Sequence, residues 1–492
     1  MTTSTDSDCL SSHNSQGESQ SPDRALTVTP EDYSLLTDLY ELTMAACYTG
    51  EGLEQRRASF ELSVRRLPDG FGYLIAMGLA QALEYLEKFR FSSAQLSALQ
   101  ATKIFANVPE RFWKLLAEAR FTGDVWAVPE GTAVFAKEPL LRVEAPLWQA
   151  QLVETYLLNA LNYQTLVATR AARLRDVAGQ RAILMDFGTR RAFSPQASLW
   201  AARAALAAGL DSTSNVLAAL QLGRKPSGTM AHALVMAIAA TQGSEAEAFT
   251  AFHRYFPNGT LLIDTYDTIA AAEALAERLA KGEIELAGVR LDSGDLVTLS
   301  QQVRSLLPGV SIFASGDLDE WEIAKLLRAG ACIDGYGLGT RLVTGAPVNG
   351  VYKLVEIDGI PVMKESSGKI TYPGRKQIFR SLEGGQLKRD RLGLVSESPE
   401  QEMPLLQVVM KQGQRIYEPE TLEEIRVRTA ASVAALPSQT RQIDEPMPLL
   451  VDVSGALMEL TEQTRKGNEP QRSQPRAGVS PPIPRGDPEP HR

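Results

Sequence analysis

Cysteine is scarce: Cys9, Cys47 and Cys332 are the only three in 492 residues, far apart and without C-x-x-C spacing. That scarcity excludes a disulfide framework and a cysteine-rich structural zinc site, and it fits a reducing compartment. Long apolar runs are missing too, since none approaches the roughly 18 residues of a membrane span. The first residues, MTTSTDSD, are polar and acidic where a secretory signal needs a basic start and an apolar core. The expectation is a cytoplasmic chain with no membrane partner. Positive charge is in deficit, the formal net charge being -9, which argues against a nucleic-acid surface but leaves room for a local basic pocket that takes phosphates. Histidine is the last scarcity. Of four, His13 and His491 fall in polar tails, so a catalytic imidazole has two candidates, His232 and His253.

What is present is ample for two domains with a sizeable core, with an apolar content of 44%. Residues 1–29 and 461–492 are rich in Ser, Pro, Gln and charge and poor in large apolar side chains. They cannot offset the entropy of ordering and read as disordered tails. Between them no fixed-period repeat occurs. What recurs over about 181–345 is a unit of about 25 residues, a short β-branched strand followed by an Ala/Leu-rich helix, the pattern of a parallel sheet wrapped in helices. Each strand ends in a polar cluster: AILMDFGTRR (182–191), TLLIDTYDT (260–268), AGVRLDSGDL (287–296), VSIFASGDLD (310–319) and CIDGYGLGTRL (332–342). In a (β/α) barrel such junctions open on one face, where an active site sits. A doubly wound sheet also binds ligands at strand ends, but the G-x-G-x-x-G turn it usually carries is absent. The fold expected is α/β, with an irregular barrel over 166–345. A second α/β domain is expected over 30–165, completed by 346–460.

Asp and Gly are common turn residues, so any one cluster has an ordinary structural reading. Taken together the clusters supply carboxylates beside small hydroxyls (LDSGD) and glycines that expose backbone N–H groups at helix starts (ASGD, GLGT). That set suits a ligand with vicinal hydroxyls and phosphates, such as a phosphorylated ribose. Arg190, Arg191, Arg290 and Arg341 stand beside the clusters, where guanidinium groups would recognise carboxylate or phosphate. His253, in FHRYFP, has the look of a structural residue on an amphipathic helix.

Six blocks in order, LLTDLYELTMAACY (35–48), DFGTRRA (186–192), SGTMAHA (227–233), LLIDTYDT (261–268), GVRLDSGDL (288–296) and GLGTRL (337–342), closely resemble the nicotinate phosphoribosyltransferase family, over about 31–440. The resemblance implies a type II phosphoribosyltransferase fold assembled as a homodimer with shared active sites. It also implies the reaction, in which nicotinate and phosphoribosyl pyrophosphate give nicotinate mononucleotide and pyrophosphate, with Mg2+ and with coupled hydrolysis of ATP through a phosphohistidine. Residue by residue, it makes Tyr40 the aromatic that stacks on the pyridine ring, from the partner subunit by analogy. Thr189, Arg190, Thr229 and Arg290 become nicotinate contacts, and Asp292 and Ser293 ribose and phosphate ligands. Gly316, Asp317, Gly337, Gly339 and Thr340 fall in phosphate-binding loops. His232 matches the phosphorylated histidine and Asp264 the acid that orients it. No protein ligand set for the metal follows from the motifs. The rival readings are a nicotinamide phosphoribosyltransferase, a quinolinate phosphoribosyltransferase, and a sugar-phosphate-binding regulatory protein without turnover. The Arg190–Arg191 pair favours an acid substrate over an amide.

Overall fold

The structure, a computed structural model, describes residues 26–366 and 369–468. Six strands form a parallel sheet: Ile183–Asp186, Ser212–Thr213, Thr260–Leu262, Gly288–Leu291, Ser311–Ala314 and Gly335–Leu338. In space their order is Ser212–Thr213, Ile183–Asp186, Gly335–Leu338, Ser311–Ala314, Gly288–Leu291, Thr260–Leu262. The sheet has two edges, so the irregular barrel is an open, curled one. Its centre is apolar on both faces, with Leu184, Val289, Leu291, Ile312, Ala314 and Leu338 fully buried, as a sheet covered by crossover helices requires. The Ser212–Thr213 strand had no signal in the sequence. Two residues of Ser and Thr make no apolar run, and only pairing with Met185 and Asp186 defines them.

A second, antiparallel sheet of seven strands runs in the order Ile360–Pro361, Gly350–Ile357, Arg57–Val64, Pro139–Pro146, Asp124–Ala127, Gln407–Lys411, Gln414–Arg415. Strands from both ends of the chain are thus neighbours in one sheet. The expected division at 165/166 falls inside the helix Glu154–Ala178. That helix cannot be cut, because Leu157, Ala160 and Leu161 serve the core under the antiparallel sheet while Val167, Ala168, Ala171 and Leu174 serve the core of the parallel one. Buried Arg173 pins it to Glu320 at 2.8 Å.

Of the tails, residues 1–25, with His13, and 469–492, with His491, lie outside the described residues. The tail expectation from 461 begins too early. Helix Gly455–Asn468 runs through it, started by the Ser454 hydroxyl, which accepts from the Leu457 N–H at 3.1 Å, and anchored by buried Leu457 and Thr461. Two apolar and hydroxyl contacts spaced one turn apart hold a segment whose composition alone reads as disordered.

Glu138 is fully buried and accepts the Phe135 N–H at 2.7 Å. Its other carboxyl oxygen has no donor among the described residues and meets Asp390, which is already paired with Arg380. Burial first, and then the Asp390 charge, push the Glu138 pKa well above the ordinary carboxylate value. The folded protein therefore keeps a proton there that the unfolded chain releases near pH ~4.3. This stability is present below that pH and is lost as pH rises toward the raised folded value, at about 1.4 kcal/mol per pH unit within the window. Glu138→Gln keeps the neutral geometry, so its melting temperature relative to the parent should rise as pH increases above about 4. A pH-independent difference would refute the buried proton.

Candidate active site

The carboxyl ends of the six parallel strands bring the polar clusters to one edge of the sheet, and the structure sorts their acids into two jobs. Asp267, Asp295 and Asp319 are helix N-caps: Asp267 and Asp295 each accept two backbone N–H groups, and Asp319 one, from the first turn of the helix that follows, Thr268–Ala280, Leu296–Leu306 and Glu320–Arg328. The turn reading is correct for these three. Asp264, Asp292 and Asp317, each close to the end of its strand, are left for other work.

Asp264 is the hub. Its side chain is 2% exposed, and its Oδ1 faces the His232 Nε2 at 3.2 Å. Its Oδ2 accepts the Asp292 N–H at 2.8 Å and the Ser293 hydroxyl at 2.7 Å. His232 opens the helix His232–Gln242, whose N-cap Ala231 supplies no side-chain cap, so N–H groups of the first turn have no side-chain acceptor there. Asp292 in turn accepts a hydrogen bond from the Ser315 hydroxyl. One connected network thus joins His232, Asp264, Asp292, Ser293 and Ser315.

Arg290 leaves the same sheet edge and donates to the Thr229 hydroxyl at 2.6 Å, with its guanidinium 5.9 Å from the centre of the Phe187 ring. Its Nε is buried without a partner among the described residues. Burial lowers its pKa, the nearby Asp292 and Asp264 charges oppose that shift, and Arg190 adds to it. Arg190 and Thr189 are exposed at the end of the Ile183–Asp186 strand. Among the described residues neither Arg190 nor Arg290 has a carboxylate within 4.0 Å, although most arginines of the chain do. Neither guanidinium is spent on a salt bridge, although the Asp292 and Asp264 charges stand near Arg290. Arg341, by contrast, is spent on Asp319.

The glycines divide as well. Gly316, at φ +99°, must lack a side chain, because a Cβ would collide with the Asp292 carbonyl oxygen. Asp317 follows at φ 50°, exposed. Gly339 and Thr340 lie half-buried at the turn after Leu338. Gly337 departs from the expectation of a phosphate loop. It is buried within the Gly335–Leu338 strand, and its missing side chain makes room for the Phe187 ring, which a Cβ there would strike. Tyr40, about half exposed on helix Leu39–Glu51 beside Glu154, joins none of these contacts within its own chain. His253 accepts the Glu285 N–H at 3.2 Å, a structural role. Phe187, Asp186 and Ser315 were missed in the sequence. Asp186, buried, accepts from the Gly188 N–H and the Thr213 hydroxyl at 2.7 Å each and so shapes the loop that carries Thr189 and Arg190. DFG and ASGD contained all three, but a Phe, an Asp and a Ser at turns have no distinguishing pattern.

Residues 35–162 match the N-terminal domain of nicotinate phosphoribosyltransferase, 182–315 the nicotinate phosphoribosyltransferase family and 395–461 the C-terminal domain. A nicotinate phosphoribosyltransferase of Mycobacterium tuberculosis is 44% identical, covering 84% of this chain and 89% of its own length. The chain belongs to the nicotinate phosphoribosyltransferase family. The human nicotinate phosphoribosyltransferase, 33% identical in sequence, spans 89% of this chain and 97% of its own. The crystal structure of the human enzyme superimposes with a TM-score of 0.77, covering 87% of this chain and 99% of that one. A nicotinate-nucleotide pyrophosphorylase from Pyrococcus furiosus superimposes at 0.69 with 26% identity, covering 84% and 98%. The family's type II phosphoribosyltransferase fold is therefore the fold here.

The Gly316 geometry makes a direct test. Gly316→Ala should cost about 1 to 3 kcal/mol of stability through backbone strain and collision, with activity falling as the Asp292 loop shifts. Gly50→Ala, with open space around the new methyl, should be neutral or stabilise by up to about 1 kcal/mol. Equal melting temperatures for the two variants would contradict the close approach at Gly316.

Proposed function

We propose that this chain transfers the phosphoribosyl group of phosphoribosyl pyrophosphate to the ring nitrogen of nicotinate, releasing pyrophosphate, as a step of NAD salvage. The observation that carries the reading is the unpaired Arg190–Arg290 couple beside the Asp264–Asp292 network. It is a receptor for a carboxylate next to a receptor for a sugar. The pyridine nitrogen lone pair forms the bond to C1 as the C1–O bond breaks and its electron pair leaves with pyrophosphate. Positive charge builds on the sugar, and the Asp292 carboxylate is the group that meets it. The nucleophile belongs to the substrate, so the protein's task is orientation and exclusion of water. Arg190, with Arg290 and Thr229, would hold the carboxylate, Thr189 would flank it, and the Phe187 ring beneath Arg290 adds an apolar wall. Ser293, Gly316, Asp317, Gly339 and Thr340 line the sugar-phosphate side.

His232 is the residue we assign to ATP. Its Nε2 is held by Asp264, which leaves Nδ1 to attack the γ-phosphate, forming N–P as the bond to ADP breaks. The uncapped first turn of helix His232–Gln242 would receive the phosphoryl oxygens. Mg2+ would come to the site on the oxygens of the pyrophosphate substrate. Asp317, exposed at the strand end, is the carboxylate available to it, and the ion would neutralise the leaving pyrophosphate. The exposed Tyr40, remote from its own chain's network, supports a homodimer in which that ring completes the partner's site. No described helix is long and apolar enough to cross a membrane, and we place the enzyme in the cytoplasm with small-molecule substrates and no nucleic-acid partner.

The decisive assay is mononucleotide formation from nicotinate with and without ATP. Arg190→Ala should lower kcat/KM for nicotinate by about 2 to 4 kcal/mol worth of rate, since a charge-assisted contact is lost, while nicotinamide, a poor substrate, suffers less. Equal losses for the two substrates would remove Arg190 from carboxylate recognition.

His232→Ala should abolish ATP hydrolysis and its stimulation of the reaction, leaving a slow ATP-independent transfer. Incubation with γ-labelled ATP should label the parent protein with a phosphate that acid removes and base does not. An equally labelled His232→Ala variant would place the phosphate elsewhere.

A further inference from the structure

Asp292 is held from one direction by its neighbour strand. Ser315, 4% exposed, donates its hydroxyl to Asp292 Oδ1, and its backbone N–H donates to the Leu291 carbonyl at 2.9 Å. The next residue, Gly316, packs so closely on the Asp292 carbonyl that no side chain fits. From the other direction the Asp292 N–H is bound to Asp264, the carboxylate that also holds His232. Backbone on both sides is therefore fixed, and the only freedom left to Asp292 is rotation of its carboxylate. One bond removes that freedom, the one from Ser315. Asp292 Oδ2 has no protein donor among the described residues, so it remains open to a ligand hydroxyl.

We propose that Ser315 is a positioning residue for the sugar: it fixes the Asp292 carboxylate so that one oxygen is occupied and the other is presented to a ribose hydroxyl. The same hydroxyl is the last link of the chain that begins at His232, and it ties the sugar-binding acid to the Gly316–Asp317 turn on the phosphate side. A carboxylate free to rotate would lose affinity for the sugar in the ground state and alignment with developing charge in the transition state. Ser315 does neither job itself, since its hydroxyl is already spent on Asp292.

This inference rests on the proposed reaction only in naming the sugar ligand. The test is calorimetric binding of phosphoribosyl pyrophosphate with Mg2+ to the full chain, without nicotinate, so that no turnover occurs. Ser315→Ala should weaken binding by about 10- to 100-fold, the range for a hydrogen bond to a charged group. Ser315→Thr, which keeps the hydroxyl, should stay within about 3-fold of the parent. In an Asp292→Ala background, where no acceptor is left for the hydroxyl, Ser315→Ala should cost no more than about a further 2-fold, because a residue that acts through Asp292 has nothing left to position. Nicotinate KM in the steady state should be unchanged by Ser315→Ala. Should Ser315→Ala fail to melt cooperatively, Ser315→Cys, nearly the same volume with a weak donor, replaces it with the same expectations. Unchanged binding in the hydroxyl-less variant, or a full independent loss on top of Asp292→Ala, would overturn the role of Ser315 and leave the proposed reaction standing. No binding by the parent protein would overturn both.

Discussion

A buried carboxylate with three obligations organises this molecule's active edge. Asp264 cannot be left without donors, since an unpaired buried charge costs several kcal/mol. Its two oxygens are met by an imidazole, a backbone N–H and a hydroxyl from two other segments of the chain. Satisfying that one group brings the loop that ends in His232, the turn after Thr260–Leu262 and the turn after Gly288–Leu291 to a common point. Any change in the charge or bulk on His232 must alter how Asp264 shares its lone pairs, and the Asp292–Ser293 turn is on the other oxygen.

The surrounding architecture makes such sharing possible. Strands of two to four residues deliver side chains to one edge without long loops, and an N-cap aspartate follows at three of the turns, fixing where each helix starts. Two acids within a few residues thus divide the work. The later one satisfies orphan N–H groups of the helix and the earlier one stays available. The cations divide in the same way. Most arginines of the chain are paired, Arg341 with Asp319 and Arg173 with Glu320 among them, whereas Arg190 and Arg290 are kept together and unpaired.

The antiparallel sheet contributes at a distance. Helix Glu154–Ala178 belongs to both cores, so the seven-stranded sheet and the open barrel are held in one relation by a shared element rather than by a surface contact. Tyr40 sits near the start of that helix, beside Glu154, away from its own chain's network.

Local pattern in the sequence was enough to determine much of this. Short apolar strands ending in Asp, Ser and Gly, spaced by Ala-rich helices, specify a parallel α/β sheet, because period and turn chemistry are properties of neighbouring residues. The motifs also named His232, Asp264, Asp292 and Arg290, and the fold brings those four together. What pattern could not resolve was anything that depends on who meets whom across the sheet. Gly337 reads like Gly339 in GLGT, yet one is buried under Phe187 and the other is at the turn. Asp292 and Asp295 are three residues apart in LDSGD, and only the helix start decides which is a cap. The strand Ser212–Thr213 exists because Met185 and Asp186 pair with it. The helix through 468 exists because Leu457 finds a core. Ser315 is one serine among many until the strand beside it places Asp292 within reach. Sequence reports the chemistry that each residue can offer. Its partner, and so its role, is chosen by long-range packing, where contacts join residues that lie tens to hundreds of positions apart.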